Sequence, residues 1–197
     1  RPHEAEALLS DVLQQPSVKA KKVFTAVVRG YAEVTDPLRA EAVARAYEAE
    51  TGQSPSSGML HAVIEAHAKA GNVRAAIKWL KHMEERTKMT PQSRAYTKIL
   101  QACIDNQLAD EAYSLVMGRQ LLARSLVEED KGQGQSAPSF KKHHFKMAIK
   151  ACREASEHNL ADSIERHMQD QAESGSLRVL GPARRARAEA RANERRQ

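Results

Sequence analysis

The stretch HAVIEAHAKAGNVRAAIKWLKHMEERTKMTPQ (His61–Gln92) decides the fold. Its first half sets Val63, Ile64 and His67 beside the small residues Ala66 and Ala70, at the three- and four-residue spacings that share one helix face. Ala70-Gly71-Asn72 then breaks the pattern, and glycine suits the left-handed conformation that closes a helix. The second half resumes the period with Val73, Ile77, Leu80 and Met83 on one stripe, and Pro91 ends it. The spacing predicts helix, turn, helix. Two short helices cannot cover their own apolar stripes, so neighbours of the same kind must stack on them.

The chain supplies those neighbours. Displaced by 36 residues, Pro55 falls on Pro91, Ile64 on Leu100, Ala66 on Ala102 and Ala76 on Ala112. Displaced by 49, Tyr96 falls on Phe145, Ala102 on Ala151, Cys103 on Cys152 and Ala112 on Ala161. VFTAVVRGYAEV (Val23–Val34) overlays MLHAVIEAHAKA (Met59–Ala70), again at 36. A period in this range marks a solenoid, so the expected fold class is all-α, an α-solenoid of helix-turn-helix units. Residues 1–16 read as the second helix of an incomplete preceding unit. Residues 17–55 form a unit with a lengthened turn, EVTDPL, and 56–91 form the cleanest unit. Residues 92–128 form the next, 129–139 a Gly/Ser/Gln-rich flexible loop, and 140–174 a last, degenerate unit. Residues 175–197 form an Arg-rich tail.

Composition supports helices. The chain of 197 residues is rich in Ala, Glu, Lys, Arg and Leu, with 4% aromatic residues, 9 Gly and 7 Pro, and these residues lose little freedom in a helix. Strand formers do not alternate over a useful length. No apolar run approaches the ~18 residues that a membrane span needs. The net charge of +6 is uneven. Residues 57–92 hold six basic against three acidic side chains, and residues 175–197 seven against two.

The side chains with chemical potential have plain structural readings. Cys103 and Cys152 fall at equivalent positions in apolar helices and are expected to pack as small hydrophobes. Of the eight histidines, His61 and His67 do not share a helix face well, and the adjacent His143 and His144 are expected to diverge. No set of three or four convergent metal ligands is expected. Trp79 is expected to pack at a junction between units rather than to anchor an interface. Asp and Glu are expected on solvated faces. No nucleophile elbow, phosphate loop, dinucleotide-binding glycine pattern or H-E-x-x-H is present, so neither an enzyme nor a cofactor is expected. In the tail, Arg184, Arg185, Arg187, Arg191, Arg195 and Arg196 suit contact with phosphate or an acidic partner.

The segment AHAKAGNVRAAIKWLKHMEE, followed by TP, resembles the end of the first helix, the turn and the second helix of a pentatricopeptide repeat. VFTAVVRGYAEV, with AEAVARAYE and SP after it, and YTKILQACIDNQLADEAYSL resemble it less closely, and FKMAIKACREA with LADSIERHM least. The resemblance covers residues 3–174, while the W-x2-L-G-x2-Y pattern of the tetratricopeptide rival is absent. It implies an organellar protein, of mitochondrion or plastid, that binds single-stranded RNA one base per repeat through its concave first-helix face, in transcript processing, stability or translation. It also implies the reader positions. One lies early in each first helix, at Thr25, His61, Thr97 and Lys146. The other follows the closing proline, at Ser56 and Gln92. The implied pairs are Thr25 with Ser56, His61 with Gln92, and Thr97 with a partner blurred by the loop around Lys141. In the family, the well-behaved pairs join a small polar residue to a closing Asp or Asn. Here no unit closes with either, and His61 and Lys146 are bulky. That departure carries the second expectation: a protein-interaction scaffold held as a structural subunit of a large organellar assembly, a ribosome or a bioenergetic membrane complex. No small-molecule substrate is expected.

Overall fold

The computed structural model describes residues 18–118 and 141–173, with the isolated positions 4 and 9. Within them the chain is all-helical, without a strand. The helices are α1 (Val18–Glu33), α2 (Pro37–Thr51), α3 (Ser57–Lys69), α4 (Val73–Glu85), α5 (Ser93–Asp105), α6 (residues 109–118), α7 (Lys142–Glu154) and α8 (His158–Glu173). The expected incomplete unit at 1–16, the loop at 129–139 and the tail at 175–197 lie outside the described residues, apart from positions 4 and 9.

The turns between paired helices recur with one geometry. The backbone is left-handed at Thr35, Gly71, Gln107 and Ser156, with φ of 57°, 75°, 55° and 63°. These positions are separated by 36, 36 and 49 residues. At each, the amide one residue later donates back into the preceding helix: Asp36 to Tyr31 O at 2.9 Å, Asn72 to His67 O at 2.9 Å, Leu108 to Cys103 O at 2.9 Å, and Glu157 to Cys152 O at 2.8 Å. This is the bond that satisfies orphaned carbonyls where a helix ends on a left-handed residue. Only Gly71 meets the demand without a Cβ. A Cβ there would lie 3.2 Å from Asn106 Oδ1. The EVTDPL turn is not lengthened. Its bond spans the same residues as in the other units, while α2 runs two residues further than α4 and closes on Gly52 at φ 64°. Asp36 caps α2 by accepting from the Arg39 amide at 3.1 Å, and Pro37 opens it.

Packing follows the small residues. The first helices lie against one another in chain order, α1 on α3, α3 on α5 and α5 on α7. Among the second helices, α2 touches α1 and α3, α4 touches α3 and α5, and α8 touches α7. Ala66, Ala102 and Ala151 on the first helices are buried, as are Ala76, Ala112 and Ala161 on the second helices. Cys103 and Cys152 are buried free thiols. Burial first, then Glu111 and Cys152, push Cys103 up to about 12. Burial, then Asp110 and Glu157, push Cys152 up to about 11. On α4 the buried stripe is Val73, Ala76, Trp79, Leu80 and Met83. The expected Ile77 sits at its edge, half-buried.

Trp79 is packed, 7% exposed, and its neighbour corrects the placement of every carboxylate on a solvated face. Its Nε1–H donates to Glu41 Oε2 at 2.9 Å, and His67 Nε2 lies 3.1 Å from the same oxygen. Arg45 donates to Glu41 Oε1 from Nε at 2.9 Å and lies over the Trp79 ring, 5.4 Å from its centroid. Burial opposes the Glu41 charge, but donation from Trp79, Arg45 and His67 outweighs it and holds the carboxyl below its ordinary range. One carboxylate thus ties α2 to α3 and α4.

Candidate nucleic-acid interface

The first helices carry matched rows, one helical turn apart. They read Thr25, Arg29, Glu33 on α1; His61, Glu65, Lys69 on α3; Thr97, Gln101, Asp105 on α5; and Lys146, Lys150, Glu154 on α7. The early-helix positions head each row. The post-proline positions fall at the N-caps of the next first helix, Ser56 on α3 and Gln92 on α5.

The first two implied pairs meet. Thr25 Oγ1 and Ser56 Oγ are 3.2 Å apart. Thr25 donates to Lys21 O at 2.7 Å, and Ser56 Oγ accepts from the Met59 amide at 3.2 Å. With the Thr25 proton so used, the Ser56 hydroxyl is the donor between them, and each oxygen keeps a lone pair for a base edge. Gly58 keeps this pair close-packed: a Cβ there would lie 3.2 Å from Thr25 Cγ2 and 3.8 Å from Ser56 Oγ.

His61 meets Gln92 through the backbone. The Gln92 amide donates to His61 Nε2 at 3.0 Å, which makes Nε2 the unprotonated nitrogen. Nδ1–H therefore donates, to Ser57 O at 2.6 Å. Both ring nitrogens are engaged, and burial lowers the His61 pKa against the opposing effect of the Ser57 carbonyl. His61 acts as a clasp between α3 and α5. The exposed Gln92 side chain does not cap α5, so its amide is the group this pair can offer a base.

The partner of Thr97 is the start of α7, and it is not a single residue. Thr97 Oγ1 donates to Ser93 O at 3.1 Å and lies 3.2 Å from Nε2 of both His143 and His144. The two histidines do not diverge. Their ring centroids are 3.9 Å apart, because both side chains in the first turn of α7 reach back onto α5. His144 is fully buried. Its Nδ1 accepts from the Lys141 amide at 2.8 Å, so Nε2–H points at Ser93 O, 3.1 Å away. Burial first, then His143 and Lys141, lower its pKa to about 4 against the pull of the Ser93 carbonyl. Lys146 is exposed at the head of the fourth row. Its own partner, and the six tail arginines, fall outside the described residues.

The basic excess of residues 57–92 lies elsewhere. Arg74, Lys78, Lys81, Arg86 and Lys88 sit on α4 or just after it, in the layer of second helices. Arg74, Lys78, Lys81, His82 and Arg86, together with Glu85, line an open groove of about 420 Å³ there. Arg74 is bound to Glu111 of α6 at 2.7 Å. A charge count by segment therefore says little about the reader face. No metal-binding group of three or more His, Cys, Asp or Glu occurs among the described residues, and no described helix is long and apolar enough to cross a membrane. Comparison with protein-family models and with curated proteins returns no match.

Proposed function

We propose that the chain is an α-solenoid of pentatricopeptide-like units, working in an organelle, whose first-helix face binds single-stranded RNA in transcript processing, stability or translation. One observation carries this reading. The residues that the resemblance pairs as base readers lie within hydrogen-bond distance of each other in two successive units, Thr25 with Ser56 and the His61 ring with the Gln92 amide. In this reading the chain binds and does not catalyse. The polar atoms left to a base edge are the Thr25–Ser56 oxygens, the side-chain amide of Gln92 and the Lys146 ammonium. The tail arginines add charge-based affinity that falls with salt.

The test is fluorescence anisotropy with a labelled random-sequence 12-nucleotide RNA, for the full chain and a chain without residues 182–197, at two salt concentrations. Binding that survives removal of the tail at the higher salt supports the reading. Binding lost with the tail refutes it.

A second reading, a protein-binding scaffold in a large organellar assembly, is favoured by two observations. His61 is closed on backbone groups, and Lys78, Lys81 and Arg86 gather in the α4 groove, beside Glu85 and the Arg74–Glu111 pair. An acidic segment of a partner protein would suit that face.

A further inference from the structure

The middle row of the first-helix face is Arg29, Glu65, Gln101 and Lys150. Glu65 is its one carboxylate, and three cations surround it. Arg94 Nη2 lies 3.2 Å from Oε2, Lys98 Nζ 3.5 Å from Oε1, and Lys69 Nζ 3.6 Å from Oε1. They come from two units, Lys69 from the helix of Glu65 itself and Arg94 and Lys98 from α5. Lys69 is shared with Glu33 at 3.4 Å and with Ala32 O at 3.2 Å. Burial opposes the charge on Glu65, yet Arg94, Lys98 and Lys69 together hold it below the ordinary carboxylate range. The carboxylate is less exposed than its partners, at 18% against 69% for Arg94 and 38% for Lys98. The cations close over it from the solvent side.

A carboxylate and a phosphodiester are both monoanions that accept from guanidinium and ammonium groups through two oxygens. Glu65 lies one helical turn after His61, and Lys98 follows Thr97 in the chain, so a strand laid across these two readers would bring its phosphates near the cluster. We infer that Glu65 is a built-in competitor for the strand phosphate. Its carboxylate holds the three cations that a phosphodiester would otherwise engage, and so lowers the affinity of the face and flattens its salt dependence. This rests on the RNA-binding reading above. Two consequences follow. Binding requires Arg94 and Lys98 to turn from Glu65 to the strand, and Glu65 then stands close to the phosphate as a like charge.

The experiment compares the full chain with Glu65→Gln, which keeps shape and removes charge. Anisotropy with a random-sequence 12-nucleotide RNA is measured across a salt series, beside thermal melting. Glu65→Gln is expected to bind about 3- to 10-fold more tightly at low salt, from the like-charge repulsion removed at roughly 6 Å. Its log-affinity slope against log salt is expected to steepen by about 0.7 for each additional phosphate neutralised. Its melting temperature falls slightly as three partly exposed ion pairs are lost. Opposite signs for affinity and stability separate competition from a merely structural role. In an Arg94→Gln background the gain from Glu65→Gln shrinks. If Glu65→Gln binds as wild type does or more weakly, with an unchanged slope, the inference fails, and the reading of the face stands as long as the chain without residues 182–197 still binds. If neither protein binds the oligonucleotide, both readings fall. If inorganic phosphate alone displaces the RNA at low millimolar concentration, the cluster is a free-anion site and not a strand contact, which also overturns the inference.

Discussion

Replacing Glu41 with alanine tests whether one carboxylate holds the first two units together. The substitution leaves the Trp79 Nε1–H without its acceptor and removes the partner of His67 Nε2. His67 Nδ1 is already buried without a partner, so the imidazole would have no hydrogen bond left. Each orphaned buried donor costs about 1–3 kcal/mol. The Glu41 side chain is 24% exposed, so water reaches part of the gap and the lower half of the summed range applies. Glu41→Ala should cost about 2–4 kcal/mol, a shift in Tm of roughly 5–15 °C for a chain of this size. Glu41→Gln keeps an acceptor and should cost about half as much. In a Trp79→Phe background the cost of Glu41→Ala should fall by about 1 kcal/mol, since one donor is gone. The pH dependence follows from the lowered Glu41 pKa. A carboxyl whose folded pKa is depressed gives stability present above its unfolded pKa, near 4.5, and lost as pH falls through the folded value. Wild type should therefore lose more stability than Glu41→Gln below about pH 4.5. Trp79 is the one tryptophan, so urea titrations followed by its fluorescence, with circular dichroism alongside, report the node and the fold together. A Glu41→Ala protein as stable as wild type, with an unshifted Trp79 emission, would refute the reasoning.

His144 has its folded pKa lowered to about 4 from 6.5, so its contribution is complete above pH 6.5 and drains as pH falls toward 4. Unfolding titrations over that window should lose about 1–3 kcal/mol in wild type and much less in His144→Asn. The left-handed turns give two substitutions of opposite sign. Gly71→Ala should destabilise by about 1–2 kcal/mol, from φ 75° and the Asn106 contact, whereas Gln107→Gly should stabilise by about 0.5 kcal/mol; thermal melts of the pair decide it. The charge reversal Lys78→Glu, Lys81→Glu, Arg86→Glu on α4 should leave RNA affinity within about 3-fold at moderate salt, because those groups lie in the other layer. Loss of binding in the anisotropy assay would place the strand on α4.

The helices and their spacing were legible because packing enforces them at small residues. Ala66, Ala102 and Ala151 repeat at 36 and 49, and all three are buried. The left-handed turn positions keep the same spacing, although only Gly71 announces one. Thr35, Gln107 and Ser156 carry side chains that tolerate the geometry at a cost, so composition did not mark them. The pairing of Thr25 with Ser56 and of His61 with Gln92 came from the family resemblance alone, and nothing in the residues said that the paired groups would touch. What His61 does there was not, since its engagement depends on how closely the α5 amide approaches. The convergence of His143 and His144 on Thr97 was missed for a related reason: adjacency within a helix says nothing of a target on another helix. Glu41 was missed because a carboxylate on an Ala-rich helix looks solvated until the next unit lays Trp79 against it. The placement of the basic excess was within reach. Arg74, Lys78 and Lys81 are spaced four and three apart, opposite the stripe of Val73, Leu80 and Met83, and a face-by-face count would have put them on the outer layer.

The central claim, that the first-helix face takes up single-stranded RNA, is tested most directly by ultraviolet crosslinking of bound RNA followed by mass mapping of the modified peptides. The account predicts adducts on the segments that bear Thr25, Ser56, Gln92 and Lys146, and few on Arg74–Lys88. Adducts confined to Arg74–Lys88 or to residues 184–196 would contradict it.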